Sequence, residues 1–267
     1  MQVQKIPTPK LSHAKRDASE ILSERENRLR LIQGLLILML FVPMYMILHA
    51  VYEGILAILV SPDDAWMTAL ASSVYCIVLL LILTWITLPT LMGFLYMACE
   101  MARGEQSSLA TMFRPFSAWK HYKEALLLAI FHMSGGCWLV LLLTWLHGFL
   151  RPFLDARWMP MLTAAAILLG LILMLRGFAG TAKVYFWRSY ALGVRMRLRR
   201  MRAMRYGIVF FTRFLPDLLL GILSFGIFLL WDVLPRMAVA YFVYVRQIED
   251  FEFGTEDKLP PNDKSTV

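Results

Sequence analysis

Three polar side chains stand where an apolar chain has least use for them: Arg176, Asp217 and His132. Each interrupts a long run of Leu, Ile, Val, Phe and Ala. In a helix, Arg176 is roughly 18 Å from the basic end of its run, and Asp217 roughly 13 Å from the same side. A central Arg or Asp costs about 2.5–3.5 kcal/mol on insertion scales, so each is expected to face protein or water. Their opposite charges make a mutual pair the simplest arrangement. Such a pair is either glue between two helices or a substrate or proton site, and the glue reading comes first. For His132, an interhelical hydrogen bond is weighed ahead of a proton relay.

A second constellation is the Arg-rich stretch that holds Arg188, Arg195, Arg197, Arg199, Arg200, Arg202 and Arg205. It invites a nucleic-acid reading. On a helical wheel, however, Arg195, Arg199 and Arg202 share a face while Arg197 and Arg200 lie nearly opposite. No base-stacking aromatics are interleaved. The better reading is a loop that fixes topology and touches anionic lipid head groups through Arg195, Arg197, Arg199, Arg200 and Arg202, with no nucleic-acid partner.

Other chemistry lacks a motif. No zincin HExxH, nucleophile-elbow GxSxG or phosphate-binding GxxxxGK[ST] occurs. His49, His121, His132 and His147 are far apart, and no pair has ligand spacing. Cys76, Cys99 and Cys137 form neither a CxxC nor a disulfide framework, and read as small buried side chains. Asp63 and Asp64 suit the positive start of a helix better than a cation site. Catalytic residues, cofactors and metals are therefore expected to be none.

The elements that would position these residues are membrane helices. Six stretches are apolar enough to count as spans, near 31–52, 67–88, 124–149, 159–180, 208–230 and 233–248; the last is short against the about 20 residues a span needs. Hydrophobic residues make up 59% of the 267 and charged residues 17%, off the usual soluble balance, and six spans in that length leave no room for a soluble catalytic domain. No secretory signal peptide is visible. The expected fold is all-α: an integral membrane bundle of about six transmembrane helices with interfacial amphipathic segments. Its parts are a basic cytoplasmic head (1–30), a six-span membrane domain (31–248) and an acidic disordered tail (249–267).

Charge sets the orientation. Lys and Arg collect in the head, between spans two and three, and between spans four and five, and such loops stay cytoplasmic. Both termini are then inside and three hairpins point outward. Pro43 predicts a kink in span one, and the apolar pattern continues past Glu53 to Val60. Phe113-Arg114-Pro115-Phe116 reads as an interfacial break. On the helix after it, Ala118, Trp119 and Tyr122 share one side, and Lys120, Lys123 and Glu124 the other. Pro89 to Tyr96, Gly180 to Tyr185 and Pro235 to Tyr241 form a loose repeat, in which a helix breaker or small residue is followed by Tyr.

Two segments resemble bacterial membrane proteins grouped as the domain of unknown function 975 family. One runs from Gly93-Phe94 through Ala102-Arg103-Gly104-Glu105 to Phe113-Arg114-Pro115-Phe116. The other is Leu220-Gly221-Ile222-Leu223-Ser224-Phe225-Gly226-Ile227 with Leu230-Trp231 and Pro235, where Arg236 stands in place of the family's usual Tyr. The resemblance implies a multi-pass bacterial protein and brings no catalytic residues. The expected function is non-enzymatic: assistance to transport or export of a small solute or peptide at the cell membrane. The alternative is an accessory or scaffold subunit that binds another membrane complex.

Overall fold

A computed structural model describes residues 8–59, 64–129, 203–224 and 226–253, with isolated positions between 149 and 169. The chain divides into two compact units. One comprises Met1–Ile32, Leu95–Ser108 and Thr181–Val267, the other Gln33–Phe94 and Leu109–Gly180.

In the first unit the basic head is helical. Helix α1 (Leu11–Ser23) buries Leu11, Ala14, Ala18 and Leu22, the three- and four-residue spacing of a single helix face. Arg16 and Glu20 stay exposed on the other side, 3.8 Å apart. Helix α2 (Arg25–Met39) follows, and Arg30 at its first turns donates to Glu26 and to the Ser107 carbonyl. After the Arg-rich stretch come α8 (Ala203–Leu223) and α9 (Leu234–Phe253). These two run antiparallel, with Phe210 edge-on to Tyr241 at 5.4 Å and Tyr206 edge-on to Tyr244 at 6.2 Å. Burial pushes the Tyr244 phenol above its ordinary value, and Arg205 acts in the opposite sense. Helix α1 lies along α9. The small, fully buried Ala14 and Ala18 permit that close approach.

The second unit is built on α3 (Phe41–Leu59) and α4 (Ala65–Ile82), which form a hairpin. Helix α2 breaks at Leu40, and Pro43 falls in the first turn of α3, where its missing N–H is not needed. Asp64 caps α4 by accepting from the Met67 N–H at 3.0 Å. Helix α4 passes through a π-helical turn, Leu83–Thr87, into α5 (Leu88–Ala102). A stripe of Trp66, Leu70, Val74, Ile77, Leu81 and Trp85 is exposed along it. The helix rises about 28 Å from Trp66 to Trp85, close to the about 30 Å of a hydrocarbon core, and Trp favours both interfaces.

Helix α5 ends in a Schellman motif. Gly104 takes φ +74, its N–H bonds the Met101 carbonyl, and the Glu105 N–H bonds the Glu100 carbonyl. That geometry accounts for the glycine in Arg103-Gly104-Glu105. Next come the short α6 (Leu109–Met112), a 3₁₀ turn at Arg114–Phe116, and α7 (Trp119–Leu128). Gly93 of α5 packs on the backbone of Met112 so closely that a Cβ there would collide with the Met112 carbonyl.

The expected bundle of about six transmembrane helices is corrected. Among the described residues three helices are long and apolar enough to cross a membrane: Arg25–Ile58, Ala65–Ala102 and Arg205–Leu223. They cover the expected spans at 31–52 and 67–88, and most of 208–230. The apolar stretch at 233–248 is an internal helix instead. Its Val239, Ala240, Phe242, Val243, Tyr244, Val245 and Ile248 are buried, so its hydrophobic side chains face protein rather than lipid. A hydropathy run cannot separate these cases, because a helix buried on every side and a span have the same composition. The stretches at 124–149 and 159–180 lie largely outside the described residues.

Candidate functional site

The deep carboxylate expected in the second-last span, Asp217, sits on α8 in the middle of an alternating row of charges. Lys15 Nζ of α1 lies 2.7 Å from Asp217 Oδ2 and also donates to the Arg213 carbonyl at 2.7 Å. The same ammonium stands 4.1 Å from the centre of the Phe214 ring, so an aromatic face supports the cation. Arg236 Nη2 of α9 is 3.6 Å from Asp217 Oδ2 and 3.2 Å from Asp232 Oδ2. The row reads Lys15, Asp217, Arg236, Asp232: two cations and two anions with no net charge. Lys15 and Asp217 are 24% and 29% exposed, so the pair is partly withdrawn from water without being sealed off.

Each member is placed by local structure. Asp232 and Arg236 lie one helical turn apart across the junction of a π-helical turn, Leu229–Val233, and α9. Lys15 lies beside the buried Ala14 on α1, so the packing of α1 on α9 carries its ammonium to α8. The Arg236 Nε is buried and has no hydrogen-bond partner among the described residues. The arrangement holds α1, α8 and α9 in register.

A second polar constellation lies on the α3–α4 hairpin. Tyr75 Oη and His49 Nδ1 are 3.3 Å apart, and His49 Nε2 is 3.9 Å from Glu53 Oε1. The Tyr52 and Tyr75 rings stack at 4.2 Å, and Tyr52 Oη shares a 2.8 Å hydrogen bond with Ser72 Oγ. Farther along the hairpin, Tyr45 Oη bonds Thr87 Oγ1 at 2.8 Å. His49, Tyr52, Glu53, Ser72 and Tyr75 thus converge in two helices made mostly of apolar residues. His49 and Glu53 are 58% and 59% exposed.

Of the residues singled out from the sequence, Asp217 is placed as described. Arg176, His132 and the lipid-contact group Arg195, Arg197, Arg199, Arg200 and Arg202 lie outside the described residues. Lys15 carries no signal in the sequence: nothing in the head marks one lysine among seven cations as a partner for α8. His49 and Glu53 carried a legible signal, an imidazole and a carboxylate four residues apart inside an apolar run. Among the described residues, no three His, Cys, Asp or Glu side chains gather as metal ligands.

These features define a helical, multi-pass type of membrane protein, without an obvious catalytic or cofactor-binding constellation among the described residues. No protein family, no curated protein and no solved structure matches the chain.

Proposed function

We propose that this is a non-enzymatic polytopic membrane protein that assists the passage or export of a small solute or peptide. One observation carries the reading: the ionisable pair His49–Glu53, held by Tyr75 on the α3–α4 hairpin. Tyr75 falls midway between the exposed Trp66 and Trp85, hence near the middle of the bilayer. An ionisable pair at that depth is stable only against water or protein. Transporters place their polar sites there. The same exposed pair also favours a second reading, an accessory or scaffold subunit, because an adjoining membrane protein would cover it.

The proposed setting is the cell membrane, with both termini cytoplasmic and the Arg195–Arg202 segment against anionic head groups. Likeness to the domain of unknown function 975 family belongs to the same proposal and rests on its two motif segments alone.

The test is water access to position 49. In full-length protein without its native cysteines, His49→Cys is treated with a membrane-impermeant thiol reagent, from each side in turn. Reaction from either side supports a hydrated passage. No reaction, with crosslinking to a second protein, overturns passage in favour of the scaffold. No reaction, with quenching by lipid-borne nitroxide, overturns both.

A further inference from the structure

Helix α8 is long and apolar enough to cross a membrane, but its neighbours are not suited to accompany it. At the level of Arg213 and Asp217, α8 is bound by Lys15 of α1. Helix α1 turns Arg16 and Glu20 outward, both largely exposed. If α8 crossed from Arg205 to Leu223, those side chains would be carried into hydrocarbon beside it. Helix α9 is likewise covered by protein along its length beyond Arg236, as Val239, Ala240, Phe242 and Val245 are fully buried. On this side of the charge row α1 and α9 therefore have the character of helices in a water-soluble bundle, while α8 itself exposes Ile208, Val209 and Leu215.

The other side of the row is different. Residues 218–231 carry no charge. Leu219, Leu220, Ile222, Leu223, Ile227 and Trp231 are exposed there, Leu223 at 78%. The two limbs close tightly at the tip. A Cβ on Gly221 would stand 2.9 Å from Leu229 Cδ1, and Gly226 turns the chain at φ +80 with its N–H on the Gly221 carbonyl at 3.2 Å. From Asp217 to Gly226 the helix rises at most about 13 Å. That reach matches one leaflet, about half of the about 30 Å core.

We propose that the α8–α9 hairpin does not cross the membrane but dips its tip, residues 218–231, into the hydrocarbon of a single leaflet. The row Lys15, Asp217, Arg236, Asp232 lies at the head-group level and the α1–α8–α9 bundle stands in water on the same side. Backbone at the tip is tolerated in hydrocarbon because the limbs are helical and the N–H groups of Ser224, Gly226 and Ile227 bond carbonyls within the hairpin. Trp231 sits at the base of the tip, where an indole favours the interface. The bound surface is lipid, and the hairpin returns to the side on which it started.

The test uses full-length protein in its native membrane, without its three native cysteines. Single cysteines are placed at exposed sites: Ser12→Cys to mark the side of α1, Thr212→Cys below the charge row, and Leu223→Cys and Ile227→Cys at the tip. Two tip variants guard against misfolding of one. Thr212→Cys is expected to react with an impermeant maleimide from the same side as Ser12→Cys. Both tip cysteines are expected to react from neither side, and a bimane on them to be quenched by lipids brominated deep in the acyl chain. Reaction of a tip cysteine from the opposite side would show a full crossing and overturn the proposal. Reaction from the side of Ser12→Cys would place the tip in water and overturn it equally.

Discussion

The Tyr122 hydroxyl donates to the Trp85 carbonyl at 3.1 Å, and Trp85 is the residue whose carbonyl Pro89 would have bonded had it an N–H. The π-helical turn Leu83–Thr87 widens the helix just before that proline. The same device recurs at Leu229–Val233 before Pro235. Both turns occupy the sequence Leu-x-Trp-x-x-Leu-Pro, at 83–89 and 229–235. The repeat noted downstream of each proline thus extends upstream into it, and a shared backbone conformation explains the shared residues.

Tyr122→Phe should therefore destabilise the protein by about 0.5–1.5 kcal/mol, the worth of a typical net hydrogen bond. In a Pro89→Ala background, a backbone N–H is available to the same carbonyl, and the Tyr122→Phe penalty should shrink. Thermal melts in detergent of the four proteins of this cycle decide it. An equal penalty in both backgrounds would show that Tyr122 acts by packing on Trp119, with which it stacks at 5.5 Å.

The charge row predicts an order. Lys15→Met leaves Asp217 with Arg236, whereas Asp217→Asn leaves Lys15 and Arg236 facing each other without their shared anion. Asp217→Asn should be the worse, by about 2 kcal/mol for a partly buried pair. The swap Lys15→Asp with Asp217→Lys should recover part of the loss. Equal melting temperatures for the two single variants would refute the shared-anion arrangement.

Gly93→Ala should lower the melting temperature despite Ala being the better helix former by about 1 kcal/mol. The added Cβ meets a backbone carbonyl, which cannot swing aside as a side chain does; overpacking of this kind costs about 1–3 kcal/mol. Gly54→Ala is the control, since a Cβ there meets nothing within 4 Å. It should be neutral or stabilising. A tolerated Gly93→Ala would show that α5 and α6 do not pack this closely.

Replacement of Arg197, Arg199, Arg200 and Arg202 with Gln should weaken binding to anionic liposomes. The difference from wild type should narrow at high salt, where screening has already removed the attraction. Flotation with liposomes of graded anionic content measures it. An unchanged preference would remove lipid contact as the role of this stretch.

What the sequence determined by itself was local. Hydropathy was enough for helices and for a membrane, because composition decides whether a segment tolerates lipid. Asp64 announced a cap and Phe113-Arg114-Pro115-Phe116 a break, since each acts through its own backbone within a turn of chain. The partner of Asp217 was a different matter. Lys15 is about 200 residues away in sequence, and only the packing of Ala14 and Ala18 on α9 brings it close. The number of spans failed for the same reason: the apolar faces of 233–248 are taken up by α1 and α8, and burial by protein or by lipid selects identical residues. Tertiary structure alone decides which of the two surrounds a hydrophobic helix.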